Sequence, residues 1–159
     1  MRWNDLGDEN CPVARALSVV GDRWTLLILR EAFRRIRRFE EFQAKLGVTR
    51  PVLAERLRKL TESGVLERRL YQERPPRHEY RLTEKGKALN SVLMALLVWG
   101  DQHMRAEGEP SFMQLEHRAC GHVMTPQMVC SECGEALTPE TTRMVARQAP
   151  PDDASRKAG

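Results

Sequence analysis

No stretch of this sequence approaches the roughly 18 uninterrupted apolar residues that a membrane-spanning helix needs. The longest, Val92 to Trp99, falls well short. The opening MRWNDLGDEN carries acids where a signal peptide carries an apolar core, so the expected location is the cytoplasm. Internal repeats are missing as well. The tail QAPPDDASRKAG, from Gln148, has nothing apolar enough to bury and is expected to be disordered. Four cysteines in a cytosolic chain exclude a disulfide framework and leave thiols or a metal site. Catalytic constellations are also wanting: there is no nucleophile–base pairing, no phosphate-cradling glycine loop and no paired carboxylates. An enzyme is therefore not expected.

What remains is a chain of 159 residues, long enough for one ordinary domain with a small appendage. Its net charge of +4 is a weak signal, but the distribution is informative. From Arg34 to Arg81 fourteen basic side chains stand against seven acidic ones, a net +7 that leaves the rest of the chain at −3. Positive charge gathered in the middle of a chain is what a phosphate-facing surface requires.

Periodicity predicts a first helix from Pro12 to Val20, stopped by Gly21. Asp22 is placed to cap a second, with Trp24, Leu27, Ile28 and Phe33 facing inward. A short third helix carries Phe39, Phe42 and Leu46 and stops at Gly47. Thr49 is placed to cap a fourth, with Leu53, Leu57 and Leu60 on one face and Gly64 at its end. Two helices joined by the turn Gly47-Val48-Thr49-Arg50 have the size of a helix-turn-helix. Val65–Tyr71 and His78–Leu82 read as strands around the polar loop Gln72–Arg77, the hairpin wing of a winged helix. Thr83, followed by Glu84 and Lys85, is expected to start a long last helix. Its apolar stripe of Leu89, Val92, Leu93, Leu96, Leu97 and Trp99 exceeds what one small domain can cover, which points to a partner helix in a homodimer.

These segments resemble one family. CPVARALSVVGDRWTLLILREAF, RRFEEFQAKLGVTRPVLAERLRKLTESGVLERRLYQERPPRHEYRLTEKG and LLVWGDQH are similar to the HxlR-type transcription regulators over roughly residues 10 to 105. Cys11-Pro12, Gly21-Asp22-Arg23-Trp24, Arg38-Phe39, Gly64-Val65-Leu66 and Leu82-Thr83-Glu84-Lys85-Gly86 carry the likeness. The resemblance implies a dimeric winged-helix repressor or activator without enzymatic activity. The expected fold class is mainly α with a small β-hairpin wing, residues 1–108, followed by a β-rich Cys/His extension over 109–147 and the tail 148–159.

In such a domain the fourth helix enters the major groove of double-stranded DNA by its N-terminal turn, which presents Thr49, Arg50 and Pro51. Arg50 is the first choice for a base contact, since a guanidinium can pair bidentately with guanine N7 and O6. Arg58 and Lys59 further along, and Arg37 and Arg38 ahead of the third helix, are expected at phosphates. Arg74 and Arg77 flank the wing prolines, where a stiff loop can hold an arginine in the minor groove or against the backbone. The competing reading makes each arginine a solvated or glutamate-paired surface residue, with Glu55 and Glu62 close to Arg56 and Arg58. A protein-interaction adaptor that binds no DNA is the alternative function.

Two cysteine features stand apart. Cys11 precedes Pro12 at a helix start, where backbone N–H groups and the dipole activate thiols. Some relatives use a cysteine here as an oxidant sensor; the other reading is a small residue in a dimer interface. Downstream, His117-x-x-Cys120-Gly and Cys130-x-x-Cys133-Gly have the spacing and trailing glycine of zinc knuckles. His117, Cys120, Cys130 and Cys133 form a candidate closed, structural zinc site, with His122 as an alternative fourth ligand. Reduced thiols without metal are the competing reading.

Overall fold

The computed structural model describes residues 10–111 and 113–145, so the tail from Gln148 lies outside the described residues. The chain forms two units, Met1–Ser111 and Phe112–Gly159, divided a few residues beyond the expected boundary.

In the first unit α1 spans Pro12–Val20, with proline in its first turn, where a missing N–H costs little. Asp22 caps α2, Arg23–Phe33, its carboxylate accepting the Trp24 N–H at 2.9 Å. The buried face of α2 is Thr25, Ile28, Leu29 and Glu31. Trp24, Leu27 and Phe33, expected inside, are only half-buried, because the inward stripe runs one position later than the apolar pattern suggests. Glu31 is tolerated at 2% exposure because Arg30 lies 2.7 Å away and Arg34 3.7 Å away to neutralise it. An apolar count has no means of registering such a residue.

The next two helices are α3, Phe39–Leu46, and α4, Arg50–Glu62. Gly47 turns the chain between them at φ 62°, a left-handed conformation that glycine adopts without penalty, and Val48 plugs the turn into the core. Thr49 occupies the N-cap position of α4 but makes no side-chain capping bond, contrary to expectation. Pro51 removes one of the N–H groups that a cap would satisfy. Phe42, Ile28, Leu29, Leu53, Leu57, Leu60, Val65 and Leu66 form the fully buried core, each contributing about 1.5–3 kcal/mol by leaving water.

The wing is β1, Leu66–Gln72, antiparallel to β2, Arg77–Leu82, in register from Leu66↔Leu82 to Leu70↔His78 with an irregularity before Gln72. A third, minimal strand joins it. Arg38 bridges Glu79, and the Tyr80 N–H donates to the Arg37 carbonyl at 2.8 Å.

The expected single long helix is two pieces, α5, Glu84–Lys87, and α6, Asn90–His103. Thr83 caps α5 through the Gly86 N–H and donates its own hydroxyl to the Gly64 carbonyl at 2.7 Å. A Cβ on Gly86 would lie 2.2 Å from the Val65 carbonyl oxygen, so only glycine permits this approach of α5 to the hairpin. With α5 pinned, the chain tightens into an i−3 bond from the Leu89 N–H to the Gly86 carbonyl before α6 begins. Leu89 and Leu93 pack on the core, whereas Val92, Leu96 and Trp99 stay exposed at 44%, 45% and 55%.

The second unit holds a small hairpin of β3, Leu115–His117, and β4, His122–Met124, and a bridge between Val129 and Ala136. None of its described residues is buried.

Candidate nucleic-acid interface

Two wing arginines line one cleft of the first unit, and two further arginines lie on aromatic rings of its lining. The N-terminal turn of α4 exposes Thr49, Arg50 and Pro51. The Arg50 guanidinium lies 4.8 Å from the Phe39 ring centroid and donates to the Gln43 side-chain carbonyl at 3.2 Å. Phe39 in turn lines a cleft of about 460 Å³ together with Glu40, Arg68, Tyr71, Pro76, Arg77, His78 and Tyr80. Arg38 lies over the Tyr71 ring at 4.8 Å. Arg50 and Arg38 are thus each held on an aromatic ring of the cleft lining. Cation–π contacts of this kind hold a guanidinium without neutralising it.

Ion pairing sorts the expected contacts. Among the described residues Arg37, Arg38, Arg50, Arg74 and Arg77 have no carboxylate partner in a salt bridge. Arg58 is clamped between Glu55 at 2.8 Å and Glu62, and Lys59 lies 3.6 Å from Glu55. Hydrogen bonding to both glutamates drives the Arg58 guanidinium further towards its charged form, and Arg58 lowers Glu55 below the usual carboxylate range. Arg56 turns away from the surface to Asp22, 3.0 Å away. Glu41 accepts the backbone N–H groups of Arg38 and Arg37 at 3.1 and 3.3 Å, which lowers its carboxyl and ties down the arginine-bearing segment.

Sequence reasoning overlooked three participants. Tyr71 and Phe39 read as wing and core, yet both support arginines. Arg35 holds a left-handed φ of 68° at the end of α2, a conformation costing a non-glycine residue about 1 kcal/mol or more. It lines a second cleft with Arg37, Arg69, Arg81 and Lys87. An adjacent Arg-Arg pair gives no signal of backbone strain.

The remaining candidates lie elsewhere in the chain. Cys11 is exposed immediately before α1. In the second unit His117 Nδ1 and Cys120 Sγ are 3.3 Å apart. The Cys130 thiol is drawn below its ordinary value by the backbone N–H groups of Cys133 and Glu132 and by the Cys133 side chain. His122 stands opposite His117 on the paired strand. Among the described residues no three His, Cys, Asp or Glu side chains gather at one point.

A helix-turn-helix followed by a two-stranded wing, with unpaired arginines on both, defines a winged-helix protein of the DNA-binding class. The chain belongs to the HxlR-like helix-turn-helix family, whose model matches residues 19–108. It is 49% identical over 131 residues to an uncharacterized HTH-type transcriptional regulator of Mycobacterium tuberculosis, covering 82% of each chain. The solved structure of PA1607, described as a candidate transcription factor, superimposes with a TM-score of 0.79 at 41% identity, covering 89% of this chain and 98% of that one. The redox regulator HypR in its reduced form is similar at a TM-score of 0.56 and 30% identity, over 59% of this chain and 94% of its own. This protein is thus a transcription regulator and not an enzyme, and no helix among its described residues is long and apolar enough to cross a membrane.

Proposed function

We propose that the protein is a cytoplasmic repressor that binds a palindromic operator as a homodimer. The observation that carries this reading is Arg50 and Arg38 held on Phe39 and Tyr71, two rings that line one cleft together with Arg77 of the wing. Arg50 reads a base edge at the N-terminal turn of α4, beside Thr49 and Pro51. Arg37 and Arg38 contact phosphates, and Arg74 and Arg77 follow the backbone or minor groove from the wing tip. Arg58 and Lys59 contribute less, because each must first leave its glutamates. The exposed Val92, Leu96 and Trp99 of α6 support a dimer, since a second copy of this helix covers the same apolar side chains.

Binding to duplex DNA at increasing salt tests the proposal. Each phosphate contact adds about 0.9 to the slope of log affinity against log salt, so a steep slope with sequence preference is expected. An adaptor that uses these surfaces for protein would show neither, and that result would overturn the reading.

A second reading concerns the signal. Cys11 is exposed at the start of α1, and a similar protein, HypR, is a redox regulator. Thiol sensing predicts that a mild oxidant changes operator affinity in the native protein but not in Cys11→Ser. Equal responses in the two proteins would end it.

A further inference from the structure

We infer that the second unit is a structural zinc site, with His117 and Cys120 supplying one half and Cys130 and Cys133 the other. The two halves are built alike. In the first, the Gly121 N–H donates to the His117 carbonyl at 2.8 Å, and Gly121 holds φ 70°. In the second, the Gly134 N–H donates to the Cys130 carbonyl at 2.9 Å, and Gly134 holds φ 75°. The first turn brings its two donor side chains together, His117 Nδ1 to Cys120 Sγ at 3.3 Å, and the second carries Cys130 and Cys133 at the same spacing ahead of its glycine. A left-handed glycine directly after the second donor is what lets a tight turn aim two side chains at one ion.

The rest of the unit argues for a staple. Val123, Met128 and Val129 are 61%, 71% and 52% exposed, and no described residue of the unit is buried, so it has no apolar core to hold its turns. Its cysteines are free thiols. Segments this small take their stability from disulfides or metal when they lack a core. Three sulfurs and one imidazole nitrogen suit a closed tetrahedral zinc site, which is structural because no position is left for water or substrate. The four donors do not yet converge. Binding therefore draws the two turns onto one ion, and the three thiols release their protons to solvent as the Zn–S bonds form.

The test uses the full chain, purified without an affinity tag or chelator. Native mass spectrometry should show one zinc per chain. The chelator-stripped protein should take up cobalt(II) with the absorption of a tetrahedral, thiolate-rich site. Cys120→Ser and Cys133→Ser should each weaken zinc binding by more than about a hundredfold, beyond the loss typical of a supporting residue. His117→Ala should weaken it while His122→Ala and Cys11→Ser leave it unchanged. Limited proteolysis gives an independent readout: zinc should protect residues 113–145, with the cutting pattern of residues 10–111 unchanged. A chain that binds zinc no better than the Cys120→Ser/Cys133→Ser variant overturns the site. Loss on His122→Ala instead of His117→Ala overturns the His117 assignment, and one zinc per two chains overturns a site within one chain. Since none of these readouts involves DNA, they succeed or fail independently of operator binding.

Discussion

The Asp22 carboxylate uses both of its oxygens, one accepting the Trp24 N–H at 2.9 Å to cap α2, the other 3.0 Å from the Arg56 guanidinium on α4. One side chain therefore starts a core helix and anchors the recognition helix to it. Both partners are largely shielded, and the Arg56 Nε is buried with no hydrogen-bond partner, so Arg56 depends on this carboxylate. Asp22→Ala is expected to cost about 2–3 kcal/mol from cap and pair together, and Asp22→Asn, which keeps a capping oxygen, about 1 kcal/mol. Urea midpoints of the two variants check this; equal losses would remove the cap from the account.

Two glycines separate close packing from backbone conformation. Gly86 has the Val65 carbonyl where a Cβ would be, whereas Gly64 has open space but φ 70°. Gly64→Ala should cost about 1–2 kcal/mol as left-handed strain. Gly86→Ala should cost about 3 kcal/mol, because backbone cannot move aside as a flexible side chain can. The order of their thermal midpoints decides the matter, and a harmless Gly86→Ala would contradict the approach of α5 to the hairpin.

Arginines on the same helix should differ sharply in their effect on DNA. Arg50→Ala is expected to weaken operator binding by about 1–3 kcal/mol and relax base preference. Arg58→Ala, which removes a residue already held by Glu55 and Glu62, should change it by less than about 0.5 kcal/mol. Fluorescence anisotropy on one operator measures both. A larger loss for Arg58 would mean that DNA breaks its glutamate pairs.

Acid should loosen the segment that carries Arg37 and Arg38. The Glu41 carboxyl is lowered from its ordinary 4.5 by the N–H groups of Arg38 and Arg37. Its contribution is complete above that value and fades as pH falls through the lower folded-state value. Native protein should therefore lose more stability on acidification below about pH 4.5 than Glu41→Gln does. Parallel acid titrations of the two would show no such gap if the N–H contacts were absent.

Much of the fold was legible because short-range chemistry dictates it. Pro12 and Gly21 bound α1, Asp22 caps α2, Gly47 turns α3 into α4, and Leu53, Leu57 and Leu60 repeat at helical spacing. The concentration of arginine in the middle of the chain was likewise plain from residue order alone. The break between α5 and α6 was not legible, because the apolar stripe runs through it unbroken. It depends on the carbonyl of Val65, twenty-one residues before Gly86 in the chain.

By itself, then, the sequence determined the helix-turn-helix, the wing and the family, since caps, turns and apolar period act within a few residues. Tertiary structure alone decided which charges remain available. Arg56 goes to Asp22 and Arg58 to its glutamates, while Arg38 and Arg50 are held on Tyr71 and Phe39 with their charge intact. The physical reason is that an arginine is neutralised by whichever carboxylate the fold brings within about 4 Å, and linear order does not encode that distance.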